Sequence, residues 1–352
     1  MMKLLFLFQY LDMMSDKPTT IKEIAKILKV SVSTVSRALN DHSSIGLTTK
    51  MRVKKLAEEL NYEPNQKAIQ FLHGKSFVIG VILPELSESF FSAAISGIED
   101  IAYKRNYTVL LAQSHDDAAR EKLLVEKMKS QRVDGLLVSV SKTTSTYEHF
   151  DIFRKLNIPV VFFDRIPPIK DIHYVSSNLE TGTFEALNFL LKKGHRSIGM
   201  INGPNTLVAS HERKEGYIRA MIANRLKFDP SLVVSCDLSE EGTIEVMDIL
   251  LNHRRKPTAI VTFNDYVALF AMRYAKSLLL QDIDFVSYAN LPIINYVDHT
   301  PIASVEQFPY KQGKKAADIL IDLINKPRNE TGTEQAYFNI VVESELILSH
   351  RK

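Results

Sequence analysis

The most directed polar chemistry in the chain lies between Ser31 and Arg37, where Ser31, Ser33, Thr34 and Ser36 supply hydroxyls and Arg37 a guanidinium. Hydroxyls and free N–H groups at a helix start suit phosphate oxygens. A guanidinium makes a bidentate contact to guanine O6 and N7. Covalent chemistry has no comparable signature. There is no G-x-G-x-x-G, no G-x-S-x-G and no H-E-x-x-H. Gly194 and Gly199 have P-loop spacing, but Met200 and Ile201 follow where Lys and Ser or Thr are required. The ten histidines are scattered. His299 beside Asp298 reads as surface loop, and Asp116-Asp117 as a helix N-terminus rather than a carboxylate dyad. No catalytic residue, metal or cofactor is expected.

Short amphipathic segments must position those hydroxyls and that arginine. Ile21, Ile24, Ala25 and Leu28 repeat at helical spacing, with Thr20 and Glu23 set as a capping box. Ser31 can cap a second helix whose apolar positions are Val32, Val35 and Leu39. Val53, Leu56, Ala57 and Leu60 line a third, which Asn61 to Pro64 ends. Two short helices joined by a tight turn and closed by a third form a helix-turn-helix, whose second helix can enter the major groove. A plain three-helix bundle that binds a protein would share this pattern.

The charge distribution bears on that choice. The chain has 352 residues, enough for two or three domains, and a net charge of only +3. Residues 17–75 carry a net +6, residues 1–16 sum to −1 and residues 76–352 to −2. A basic block of this kind binds phosphate backbone or forms a solvated helical surface. A composition of 45% hydrophobic and 24% charged residues excludes disordered and fibrous classes. The single cysteine, Cys236, excludes a disulfide framework. No apolar run approaches the roughly 18 residues needed to span a bilayer. Residues 1–16 contain Leu4, Leu5, Phe6, Leu7 and Phe8 but no small-x-small cleavage site. They are expected to be a poorly ordered, non-native extension ahead of a start at Met13 or Met14, in a cytoplasmic protein.

Thr20-Ile-Lys-Glu-Ile-Ala25, Val30-Ser-Val-Ser-Thr-Val-Ser-Arg-Ala-Leu-Asn40 and Leu60-Asn-Tyr-Glu-Pro-Asn65 resemble the headpiece of the LacI/GalR family of bacterial transcription regulators. The resemblance implies double-stranded DNA as a partner, with Val32, Ser33 and Arg37 reading bases. It implies that Thr20, Ser31, Thr34, Thr49 and Asn65 hold phosphates and that Asn40 lies close to the backbone. Gly46 stands where the family usually has a Ser cap, which weakens that helix start slightly. Residues 65–75 correspond to a hinge that becomes helical on the operator; Ala68 matches its small residue, and Phe71 or Leu72 is the intercalating wedge. The alternative is a linker docked on the body.

The body, residues 76–352, alternates β-branched runs with amphipathic stretches. Strands are expected near 77–83, 108–112, 135–140, 160–163, 172–176, 197–202, 259–263 and 284–288. Helices are expected near 90–103, 118–130, 179–192, 211–223, 242–250, 266–277 and 310–324. Such alternation implies parallel sheets covered on both faces, and the length implies two α/β lobes with a ligand cleft at the strand C-termini.

The resemblance continues through Val133-Asp-Gly, Phe163-Asp-Arg165, Arg213-Lys-Glu-Gly-Tyr217 and Phe263-Asn-Asp265. It implies a periplasmic-binding-protein-like body: an N-lobe at about 76–175 and 306–335, a C-lobe at about 176–305 and 336–349, and three crossovers. It also implies a homodimer on a palindromic operator and a small effector, a sugar or derivative, in the cleft. The expected effector residues are Phe90, Phe91, Asp164, Arg213, Asn264 and Asp265. Core packing is the other reading of either Phe, a salt bridge to Arg165 or a helix cap that of Asp164, and a helix cap that of Asp265. Ser177 and Ala289 stand where the family usually has carboxylates, so the ligand is less hydroxylated, or anionic, or the pocket is degenerate. A cytoplasmic sugar-binding protein without regulatory DNA binding is the alternative function.

Overall fold

A computed structural model describes residues 19–63, 74–280, 282–296, 299–326 and 336–349. The chain divides into two compact units between Lys75 and Ser76. The expected extension at 1–16, and Asn65, Ala68 and Phe71 of the expected hinge, lie outside the described residues.

The first unit contains α1 (Ile21–Leu28), α2 (Val32–Leu39) and α3 (Leu47–Glu59). Glu23 reaches back to accept the Thr20 N–H at 2.7 Å, so the capping box forms. Lys29 takes a left-handed conformation and stops α1, which makes the tight turn into Ser31. Ile24, Ala25, Val35, Ala38, Val53 and Ala57 meet in one small core, and Leu28, Leu56 and Tyr62 pack around it. The Thr19 hydroxyl donates to Leu60 O at 3.0 Å and ties the residues just ahead of α1 to the end of α3.

The second unit holds two sheets. The first runs β11 (Asn339–Val342), β5 (His173–Ser177), β4 (Val160–Phe163), β3 (Gly135–Val138), β1 (Val78–Leu83), β2 (Thr108–Gln113), with every pairing parallel. The second runs β12 (Glu345–Leu348), β10 (Ala303–Glu306), β9 (Asp284–Tyr288), β8 (Ala259–Thr262), β6 (Ile198–Asn202), β7 (Val233–Ser235), parallel except for β12 against β10. Helices α4 (Ser89–Lys104), α5 (Ala118–Ser130) and the short α6 (Asp151–Lys155) lie between strands of the first sheet. Helix α7 (Leu179–Lys192) leads into the second sheet, and between its strands lie α8 (Val208–Ala223), α9 (Glu240–Leu251) and α10 (Asp265–Ser277). The central strands β1, β3 and β8 are near-continuous apolar runs, as burial on both faces requires.

Three crossings join the lobes: β5 to α7, β10 to α11 (Pro309–Asn325), and β11 to β12. Helix α11 returns to the first lobe, where Ala316, Ala317, Leu320 and Ile321 enter the core beside Ile79 and Val161. One expected boundary needs correction. The segment 336–349, expected in the C-lobe, divides: Asn339–Val342 extends the first sheet beside β5, and Glu345–Leu348 belongs to the second. The chain is still crossing between lobes at that point, and a four-residue edge strand carries no pattern that says which sheet it joins.

The crossings are stitched together. Ser177 Oγ donates to Gln307 O at 3.1 Å, and Gln312 Nε2 donates to Ser177 Oγ at 2.7 Å. Asn178 Nδ2 donates to Glu343 at 2.9 Å, and Ser344 Oγ to Asn178 O at 2.8 Å. Ser177 therefore braces the crossings.

Candidate DNA-contacting helix and interlobe site

In the first unit, Ser31, Val32, Ser33 and Thr34 form the start of α2. Ser31 Oγ accepts the Thr34 N–H at 3.0 Å and lies 2.8 Å from both Ser33 Oγ and Thr34 Oγ1. The Ser31 oxygen is thus engaged as a helix cap, and its hydroxyl shares a cluster with its neighbours. Val32 is 41% exposed although its type belongs in a core. An exposed aliphatic group there suits a thymine methyl. Arg37 is exposed one turn further along the helix. Asn40 is exposed and donates to Ser36 O at 3.0 Å, while Thr20 is exposed at the cap of α1 and Thr49 is half-buried at the start of α3.

Two features of this unit escaped sequence reasoning. Lys54 pairs with Asp41 at 2.7 Å and Lys50 donates to Asp41 O at 2.8 Å, so part of the basic excess is engaged within the unit. The lysine at 54 holds the Asp41 carboxyl below the usual carboxylate range. Leu47 and Met51, 73% and 64% exposed, lie one helical turn apart on α3. Neither a leucine nor a methionine at helical spacing distinguishes an exposed face from a core face.

In the second unit, Arg213 sits on α8 and is only 3% exposed. Its guanidinium carbon lies 4.0 Å from the Phe263 ring centroid and 4.4 Å from that of Tyr288. Stacking between two aromatic faces explains how the plane is held. Burial pushes its pKa down from the usual arginine value. Among the described residues no carboxylate comes within 4 Å of it, and its Nε has no hydrogen-bond partner. Tyr288 is itself fixed by a short bond to the Thr183 hydroxyl, and burial pushes its phenol up to about 12. Gly203 lets the Phe263 ring lie close, because a Cβ there would come within 2.5 Å of it.

Two neighbours missed by sequence reasoning are also incomplete. Asn202, at the C-terminal end of β6, donates from Nδ2 to Ser210 O at 2.8 Å, but its Oδ1 accepts from nothing. The buried Ser210 Oγ has no partner either. Asparagine and serine are too common to stand out in a sequence; only their shared burial beside Arg213 marks them.

Across the cleft, Asp164 follows β4 in a left-handed conformation. Burial pushes its carboxyl up to about 6, opposed by the charges of Arg165 and Arg213 and by the Ser139 hydroxyl. Arg165 does not pair with it. The Arg165 guanidinium donates to Asp116 at 2.6 Å, and its central carbon lies 5.7 Å from the Phe91 ring centroid. Glu88, half-buried ahead of α4, is raised by burial, with Arg165 opposing.

Four other expected effector residues are engaged within their own lobes. Phe90 and Phe91 belong to the first lobe's core, edge-to-face at 5.4 Å, because the first turn of α4 faces its sheet. Asn264 caps α10, accepting the Val267 N–H at 2.9 Å. Asp265 is fully buried and accepts from Leu291 N at 2.7 Å, from Ser304 Oγ at 3.0 Å and from Ser287 Oγ. These donors engage both oxygens of that carboxylate, so it ties α10 to the loop after β9. Burial still pushes its carboxyl up to about 6.

The lobes touch at the loop 141–144. Lys142 Nζ donates to Asp237 O at 2.8 Å, and Thr206 Oγ1 donates to Lys142 O at 2.5 Å. Buried Glu121 fixes this loop, accepting from Ser141 N at 2.7 Å, Thr144 Oγ1 at 2.9 Å and His149 Nε2 at 3.0 Å. Among the described residues no helix is long and apolar enough to cross a membrane, and no cluster of three or more His, Cys, Asp or Glu is suited to a metal.

Comparison with known proteins agrees with this architecture. Residues 20–65 match the bacterial regulatory proteins of the lacI family, and residues 79–328 match the periplasmic binding protein domain. The HTH-type transcriptional repressor CytR of Escherichia coli (strain K12) is 30% identical over 309 residues, 86% of this chain and 89% of that protein. Catabolite control protein A of Priestia megaterium is 30% identical over 311 residues, 87% of this chain and 93% of the other. The crystal structure of the Lac repressor dimer bound to operator and the anti-inducer ONPF covers 94% of this chain and 98% of its own, with a TM-score of 0.79 at 24% identity, and shares the fold. That of the transcription regulator CcpA of Lactococcus lactis covers 77% of this chain and 97% of its own, with a TM-score of 0.68 at 28% identity. An exposed helix-turn-helix face, two parallel-sheet lobes and relatives that match both parts make this chain a DNA-binding transcriptional regulator of the lacI family.

Proposed function

We propose that the protein is a cytoplasmic repressor that binds a palindromic operator as a homodimer and changes its operator affinity when a small molecule occupies the interlobe site. In this reading residues 17–64 bind DNA, 65–75 are the hinge, and 76–352 bind effector and dimerise. Val32, Ser33 and Arg37 read bases. Thr20, Ser31, Thr34, Thr49 and Asn65 contact phosphates, Asn40 lies along the backbone, and Ala68 and Phe71 enter the minor groove. Effector closure changes the lobe angle, which the stitched crossings hold between few arrangements.

The observation that carries this reading is the exposed face of α2, where Val32 and Ser33 at its start and Arg37 in its last turn lie at the surface with hydroxyls beside the first two. Catalysis is not part of the proposal, since the similar proteins are named repressors or regulators. Binding-site selection from a random DNA pool tests it. One palindromic sequence should be recovered, and a metabolite screen on that complex should then find a compound that changes the affinity. A chain that binds a sugar but enriches no DNA at low salt would instead be a binding protein without regulatory DNA contact.

A further inference from the structure

Strands β8, β6 and β7 lie side by side in the second sheet, and the stretches that lead into them are strongly basic. Residues 192–197, 225–231 and 253–258 hold eight Lys or Arg against one Asp, a net of +7. Residues 76–352 as a whole sum to −2, so the rest of the body is −9. The basic charge is thus a local field on an acidic body. The backbone beneath it is tied down. Ser197 Oγ donates to Arg255 O at 2.9 Å, and Arg255 N donates to His253 Nδ1 at 3.1 Å. His253 Nε2 lies 2.9 Å from Ser231 Oγ, and His195 Nδ1 lies 2.9 Å from Thr258 Oγ1. Asn224 Nδ2 donates to Asn188 Oδ1 at 2.7 Å and joins the end of α8 to α7.

The side chains that carry the charge are uncommitted. Lys192, Arg225, Lys227, Arg254, Arg255 and Lys256 are all exposed, and among the described residues none of their side chains makes a hydrogen bond or ion pair. Helices α7, α8 and α9 end just ahead of these stretches, and cations offset helix dipoles at such ends. Capping nevertheless engages only Arg196, which donates to Leu191 O at 2.8 Å, while Lys193 pairs with Asp284 at 3.6 Å. The other six are held on a fixed platform with nothing to hold. An acidic protein or a nucleic acid could supply the opposite charge. A protein interface is built around an apolar core, and none of the three stretches carries an exposed large hydrophobic residue. Neighbouring strands about 4.8 Å apart spread the cations over a width that spans several phosphates of one backbone.

We propose that this platform is a second DNA contact, separate from the helix-turn-helix, which holds the phosphate backbone of a duplex without reading its sequence. It requires that the chain binds DNA and is independent of any effector.

The test uses the full chain on a random-sequence duplex, so its outcome does not depend on whether operator selection recovers a palindrome. Fluorescence anisotropy gives the affinity across a salt series for the wild type, a platform variant and a control. The platform variant carries Arg254→Gln, Arg255→Gln and Lys256→Gln. The control carries Lys122→Gln, Lys127→Gln and Lys170→Gln, which remove the same charge from exposed positions outside the platform. The helix-turn-helix is unaltered in all three. With about 0.9 counterions released per phosphate contact, the wild type should lose roughly fortyfold more affinity than the platform variant between about 50 and 200 mM salt. The control should follow the wild type. Equal salt dependence in the wild type and the platform variant, or an equal reduction in the control, would overturn the proposal. So would labelled polyglutamate of matched length binding the wild type as tightly as the duplex, because an acidic protein would then serve as well. Melting curves check the fold. If the triple variant melts lower than wild type, Lys256→Gln alone should still reduce the salt slope by about one, and an unchanged slope would refute the contact.

Discussion

Arg37 and Asp164 are the side chains whose surroundings give the sharpest consequences. Arg37 is exposed on a short helix with a serine-rich start, so its loss should leave the fold unchanged. Arg37→Ala should cost about 1–3 kcal/mol of specific binding and relax base preference at one operator position, as measured by repeating the selection with the variant. Unchanged selectivity would remove its assigned role. Asp164 has a folded carboxyl raised by burial to about 6 from its ordinary 3.8. The folded state therefore binds this proton more tightly than the unfolded chain does. Its penalty is absent below about pH 4, grows as pH rises toward about 6 and is complete above that, at most about 3 kcal/mol. Asp164→Asn should melt above wild type at pH 8 and converge with it near pH 4 in a pH series of melting curves. Arg213 and Asp164 were legible in the sequence because each stands in a recognisable motif. Asp265 stands in one too, and its motif equally describes a helix start; only the positions of Ser287, Ser304 and Leu291, remote in sequence, decide its job.

Helix pairs show how elements hold these side chains in place. A Cβ on Gly97 of α4 would lie 2.2 Å from Tyr310 O, and one on Gly313 of α11 would lie 2.0 Å from Ala94 O. The two helices therefore touch backbone to backbone. In the second lobe, Gly216 of α8 leaves the same room for Glu180 O of α7, at 2.2 Å. That contact fixes the helix bearing Arg213. Gly97→Ala should push α4 from α11 and cost about 1–3 kcal/mol, read from the midpoint of urea unfolding. An unchanged midpoint would mean that the pair relaxes freely. Long elements such as α5 and α7 were legible from the helical period. The strands β7, β10, β11 and β12 were not, since each is only three or four residues long, and β7, β11 and β12 lie at sheet edges without the buried apolar run that marks β3, β4 and β8.

The two lobes communicate through the loop 141–144 on one side and the three crossings on the other. Lys142 makes the side-chain contact to Asp237 O, so Lys142→Ala should weaken closure by about 0.5–1.5 kcal/mol. Small-angle scattering should then show a larger radius of gyration with little change in melting temperature; an unchanged radius would mean that other contacts set the lobe angle. The crossings also govern how the molecule can be made. The first lobe takes part of its core from Ala316, Ala317, Leu320, Ile321 and Val342, all of which follow strands β6 to β10 of the second lobe in the chain. On a ribosome, the sheet begun at Val78 must wait for some 130 residues between Ser177 and Pro309, roughly 7–25 s of synthesis. During that interval Ile79, Leu137 and Val161 lack their cover, whereas the small helical unit is already complete. A message cut short before Pro309 would thus yield a DNA-binding fragment attached to a sticky, unfinished lobe, which makes this protein a demanding client for chaperones and a poor candidate for C-terminal truncation.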